Sequence, residues 1–135
     1  KKILEGWIAS YESKDFYTWA IAWREDEGNV IGSIAVPQLN QKAGRVTVGY
    51  CLGRKWWGNG IMKEAFAELI RFFFEVEGAN RVEALHDTRN VNSGKVMMAC
   101  GLKKEGTLRQ YGWNNQGICD ECIYGMVASD YFEGK

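Results

Sequence analysis

The sequence predicts a mixed α/β (α+β) domain with a mostly antiparallel central sheet flanked by helices. Two segments, the alternating and aromatic-rich Tyr17 to Trp23 and the following Val30 to Val36, read as strands paired across the acidic turn Arg24 to Asn29. After Gly53 the apolar period lengthens from that of a strand to that of a helix. A strand–helix–strand order follows, so an antiparallel meander runs into a unit that makes the sheet mixed. At 135 residues, 46% apolar and 25% charged, the chain reads as one domain able to build a core without staples.

Taken in order, Ile3, Leu4, Trp7 and Ile8 fall at helical spacing, so the first dozen residues read as the end of an amphipathic helix. Pro37 closes the hairpin, Gln38 to Gly44 is a polar connection, and Arg45 to Leu52 is a third strand. Ile61, Ala65, Leu69, Phe72 and Val76 then share one helical face, widened by Met62, Phe66 and Phe73, with Glu64, Glu68, Arg71 and Glu75 opposite. Gly78 stands where a helix stops. Arg81 to His86 is a short strand. Asn90 is placed to cap a second helix that runs to Cys100 before Gly101. Two strands, Leu102 to Tyr111 and Ile118 to Val127, flank the turn Asn114-Asn115-Gln116-Gly117.

Composition removes several classes of function. Seventeen basic and seventeen acidic side chains cancel, which argues against nucleic acid as a partner. No apolar run reaches the ~20 residues of a membrane span, and the N-terminus lacks the pattern of a signal peptide. Cys119 and Cys122 form a single Cys-x-x-Cys, with His86 the sole histidine, so the four ligands of a structural zinc site are not assembled. No metal is expected, and Cys51, Cys100, Cys119 and Cys122 read as reduced thiols of a cytoplasmic protein. Nothing in the sequence sets the oligomeric state, and a homodimer is compatible with it.

The sharpest local feature is Arg54-Lys55-Trp56-Trp57-Gly58-Asn59-Gly60, between the third strand and the long helix. Unpaired N–H groups and the helix dipole suit an anion there, and glycines let a phosphate approach the backbone. The same glycines would also serve a plain tight turn. The spacing is neither that of a Walker loop nor that of a Rossmann fingerprint.

Several pieces, in register from Tyr17 onward, resemble the GNAT acetyltransferase superfamily and its RimJ/RimL-like branch, which acetylates ribosomal-protein N-termini. Val48-Gly49-Tyr50-Cys51-Leu52 is similar to the central strand of that family, and Lys55-x-x-Gly58-x-Gly60 with Glu64-Ala65 to its pyrophosphate loop. Asn90-Val91-Asn92-Ser93 resembles its Asn-x-x-Ser segment. Cys100-Gly101-Leu102 with Glu105-Gly106, and Asp120 to Tyr124, resemble its last strands. The resemblance implies a GNAT acyl-CoA acyltransferase fold, shortened by the strand and helix with which family members begin. It implies acetyl-CoA as acetyl donor and a primary amine, of a peptide N-terminus or a small molecule, as acceptor.

It also implies site roles. Backbone groups of Val48, Gly49, Tyr50 and Cys51 would pair with the pantetheine arm and polarise the thioester carbonyl. The loop of Lys55, Trp56, Trp57, Gly58, Asn59 and Gly60 would hold the pyrophosphate. Asn90 would hydrogen-bond the pantetheine arm, or act only as a helix cap, and Ser93 is the candidate acid for the departing thiolate. The tyrosine that fills this acid role in many members falls on Met97. The carboxylates expected at two other positions fall on Gly112 and Thr47, leaving Glu83, His86, Asp120, Glu121 or water to take the acceptor's proton. Trp56, Trp57, Tyr111 and Trp113 either line an acceptor groove or pack in the core. Those missing groups leave a second reading open, a domain that binds acetyl-CoA without turnover.

Overall fold

The computed structural model describes residues 8–12, 17–23, 26–52, 58 and 60–134. Seven strands form one sheet: β1 (Ile8–Glu12), β2 (Tyr17–Trp23), β3 (Asp26–Asn40), β4 (Arg45–Leu52), β5 (Arg81–Asp87), β6 (Lys103–Asn114) and β7 (Gly117–Val127). Their spatial order is β1-β2-β3-β4-β5-β7-β6. Helix α1 (Ile61–Arg71) connects β4 to β5, helix α2 (Val91–Ala99) connects β5 to β6, and a short α3 (Ala128–Glu133) follows β7. The one parallel contact, β4 with β5, needs a crossover, and α1 supplies it.

Ile8 to Glu12 corrects the expected helix: this segment is an edge strand in antiparallel register with β2, from Ile8 opposite Ala20 to Glu12 opposite Tyr17. A free sheet edge offers backbone partners that helical spacing alone cannot register. The helical reading of residues 1–7 and the turn at residues 24–25 lie outside the described residues. β3 runs on through Pro37 to Asn40, with an irregular register between Ala35 and Gln38, where the ring cannot donate a ladder bond.

Helix α1 buries Ile61, Met62, Ala65, Phe66, Leu69 and Ile70 on the sheet. Phe72 to Val76 continues as a π-helical turn, with Glu77 N–H donating to Phe72 O at 3.1 Å. The wider turn brings both Phe73 and Phe74 into the core and leaves Val76, expected on the apolar face, 60% exposed. Asn90 caps α2, its side-chain oxygen accepting from Ser93 N–H at 3.3 Å. The small α3 carried no sequence signal. It is held from outside by Tyr131, whose ring stacks on Phe74 at 5.1 Å.

Phe66 is fully buried beside Tyr50, ring centres 5.5 Å apart. Phe66→Ala removes a large core side chain whose space cannot collapse, and is expected to cost about 3–5 kcal/mol in urea unfolding.

Candidate active site

β4 and β5 pair only from Arg45 opposite Arg81 to Val48 opposite Ala84. Beyond that point β5 continues with β7 as far as Asp87 opposite Glu121, while β4 continues with β3 up to Leu52. The two strands therefore part, and Gly49 to Leu52 keep one unpaired backbone edge facing the gap. A cleft of about 620 Å³ opens there. Tyr50 and Cys51 form its β4 wall, Gly58, Gly60 and the first turn of α1 close one side, and Asn90 and Ser93 of the α2 start close the other.

Gly58 and Gly60 adopt φ of 81° and 75°, values that side chains other than glycine rarely take. Gly60 caps α1 with no side-chain bond, leaving the first N–H groups of the helix free of a side-chain cap. An anion is favoured at such an end by the helix dipole. Lys63 and Lys95 add charge on the rim, and buried Ile61 and Met62 with Val96 supply apolar surface. The sequence reading had passed over both lysines. Their signal was a cation within the first five residues of each of two helices that start at the same strand ends.

The remaining site candidates are distributed as follows. Val48 is buried as the last residue paired to β5, and Gly49 follows at the parting. Tyr50 donates its hydroxyl to Ser93 O at 3.1 Å, tying β4 to the first turn of α2. Burial holds this phenol well above its ordinary pKa, so it remains a donor. Ser93 is half-buried and lines the cleft. Asn90 caps α2 through its side-chain oxygen and also lines the cleft. Lys55, Trp56, Trp57 and Asn59 lie outside the described residues.

Of the groups considered for proton removal, Glu83 accepts from Thr47 Oγ1 and Arg81 Nε, each at 2.9 Å. His86 is buried, its Nδ1–H donates to Asp87 O at 2.7 Å, and among the described residues none partners Nε2. Met97, at 1% exposed, is core. Tyr111 and Trp113 are 61% and 78% exposed, so neither packs in the core, and neither lines the cleft. Cys119 and Cys122, three apart on β7, point to opposite faces of the sheet and cannot share a metal. Among the described residues no metal-binding cluster occurs. Glu121, at the strand end opposite Asp87, overlies Gly112.

The sequence pattern of the acetyltransferase (GNAT) domain matches residues 1–103. The chain belongs to the GNAT acetyltransferase family. An uncharacterised N-acetyltransferase of Bacillus subtilis, YoaA, is 31% identical over 125 residues, covering 93% of this chain and 70% of that protein. The ribosomal-protein-S5-alanine acetyltransferase of Vibrio fischeri superposes with a TM-score of 0.79 at 25% identity, covering 86% of this GNAT chain and 63% of that one. The microcin C7 self-immunity acetyltransferase MccE, solved with acetyl-CoA and AMP, superposes with a TM-score of 0.77 at 22% identity over 84% of this chain and 62% of that one. This GNAT domain thus spans less than two thirds of either solved chain. The expected mixed sheet flanked by helices is the fold it shares with them.

At the rim of the site, Arg89 donates to both Asp87 oxygens, at 3.0 and 2.7 Å, and holds that carboxyl well below the usual range. Asn114 reaches the same group at 2.9 Å and pins the β6–β7 hairpin to β5. A depressed carboxyl contributes stability above its unfolded pKa and loses it as pH falls toward its folded one. Asp87→Asn is expected to lower Tm at pH 7. The gap to the parent should narrow as pH falls below about 4, as read by thermal melts across pH.

Proposed function

We propose that residues 1–135 form a single N-acetyltransferase domain that uses acetyl-CoA to acetylate a primary amine by direct attack in a ternary complex. The observation that carries this reading is the parting of β4 and β5 beside a helix start bearing two left-handed glycines. The residues there suit an acyl-CoA. Left-handed glycines, free helix N–H groups, Lys63 and Lys95 match a pyrophosphate, and Ile61, Met62 and Val96 match an apolar arm. Bound there, acetyl-CoA supplies an acetyl group activated as a thioester.

The chain's own groups divide the remaining work. The free edge of Gly49 to Leu52 offers hydrogen bonds that align the extended arm and orient an acyl carbonyl. Tyr50 keeps α2 at its distance from β4 through Ser93 O, and Ser93, whose side chain lines the cleft, is the group that gives up a proton. Asn90, which also lines the cleft, offers its amide to the same arm. For the acceptor we favour a peptide N-terminus, since the Vibrio fischeri relative is a ribosomal-protein-alanine acetyltransferase. Four free cysteines support a reducing, cytoplasmic setting. No helix among the described residues is long and apolar enough to cross a membrane.

Calorimetric titration with acetyl-CoA tests the site. The parent is expected to bind saturably, and the Gly58→Val, Gly60→Val double variant to lose binding while keeping its melting transition. A folded double variant that binds as well as the parent would remove the glycine turn from the site. Release of coenzyme A on adding an N-terminal-alanine peptide separates turnover from binding alone.

A further inference from the structure

We propose that Glu121 is the group that receives the acceptor's ammonium and takes its proton, an inference that rests on the acetyltransferase reading above. Direct attack needs a neutral amine, whereas a primary amine at neutral pH is an ammonium, and a carboxylate with no other commitment next to the gap both attracts that cation and can accept its proton. Most carboxylates on β5, β6 and β7 are committed. Glu83 is held by Thr47 and Arg81, and Glu105 accepts two bonds from Arg81 at 3.0 and 2.9 Å. Asp87 is gripped by Arg89 and Asn114, and Asp120 accepts from Gln110 N–H at 2.8 Å. Glu121 is different: among the described residues its one polar contact is a weak donation from Cys119 Sγ at 3.8 Å, and no cation pairs with it.

Its position is as specific as its freedom. Antiparallel partners share a face, so Glu121 stands with Asp87 on one side of the sheet, at the strand end where β4 has departed. Tyr50 packs on Phe66 of α1, so Cys51 next to it looks to the other face, the one Glu121 occupies. Both residues line the cleft at the gap, and the face to which Cys51 turns is the one that carries Glu121. Glu121 lies one strand beyond β5, about 5 Å across. The half-buried carboxylate lies over Gly112 of β6, where a Cβ would come within 2.6 Å of Glu121 Cδ and closer still to an oxygen. Gly112 thus keeps open the space in which this side chain is held. Around the carboxylate stand Cys119 on its own strand, Asp87 with Arg89 on β5, and Leu108 and Gly112 on β6.

The step balances simply. The ammonium binds the Glu121 carboxylate and gives it one proton, leaving a neutral amine with its lone pair free and a carboxylic acid that later returns the proton to water.

The test uses the full chain saturated with coenzyme A and L-alaninamide, a primary amine with the amide of a peptide N-terminus. In NMR titrations the backbone amides of Glu121, Gly112 and Cys119 are expected to shift, and Glu121→Gln to abolish those shifts with Tm unchanged. With acetyl-CoA, Glu121→Gln should lower kcat for alaninamide by about 10²-fold or more, leaving acetyl-CoA affinity as in the parent. Moving the carboxylate across the strands, Gly112→Glu with Glu121→Gly, should restore at least tenfold of the rate that Glu121→Gly loses. Shifts that persist in Glu121→Gln, an unchanged kcat, or no rescue by the relocated carboxylate would overturn the assignment. A parent that binds acetyl-CoA while Glu121 and Gly112 ignore alaninamide overturns this inference alone. A parent that binds no acetyl-CoA overturns the reading beneath it.

Discussion

The separation of β4 from β5 after Val48 and Ala84 is the constraint on which the site depends. Up to that pair the strands share a ladder, and their side chains Val46, Val48, Val82 and Ala84 are all buried under α1 and α2. Past it, β5 remains paired to β7 and β4 to β3, so neither strand is exposed on both edges. A backbone edge left unpaired inside a protein costs free energy unless something satisfies it. Here the edge opens on a cleft, where its hydrogen-bonding capacity is not spent on β5.

Keeping that gap at a fixed width falls to a few contacts. Phe66 supports Tyr50 from α1, and Tyr50 in turn holds Ser93 of α2 through a carbonyl. Cys100 extends the link between helices by donating to Lys63 O at 3.4 Å, and burial pushes its thiol up to about 11, so it stays a neutral bridge. Polar groups on the opposite face follow a second logic. Arg81 pairs with Glu83 and Glu105 and Arg89 with Asp87, whereas among the described residues no cation pairs with Glu121.

Features governed by neighbours in sequence were legible. The period change after Gly53 gave α1, Asn90 and Gly101 bracketed α2, and the alternating runs gave β2 and β4 at their observed bounds. Ser93 and Asn90, singled out through the GNAT resemblance, both line the cleft. Features set by distant contacts were not. Helical spacing at Ile8 gave no hint of the edge of β2, and α3 exists because Phe74 offers Tyr131 a ring to stack on. Glycine at position 112 reads as an empty slot along the chain, but in space it is filled from the next strand by Glu121.

The sequence by itself determined the strand and helix order from β2 to β7, the glycine turn before α1 and the family, because turn chemistry, capping and apolar period are local properties of the chain. Only the tertiary structure decided which carboxylates are spoken for, where β4 leaves β5, and what overlies Gly112. Those depend on register between strands far apart in sequence, and one residue of slip would send each side chain to the other face.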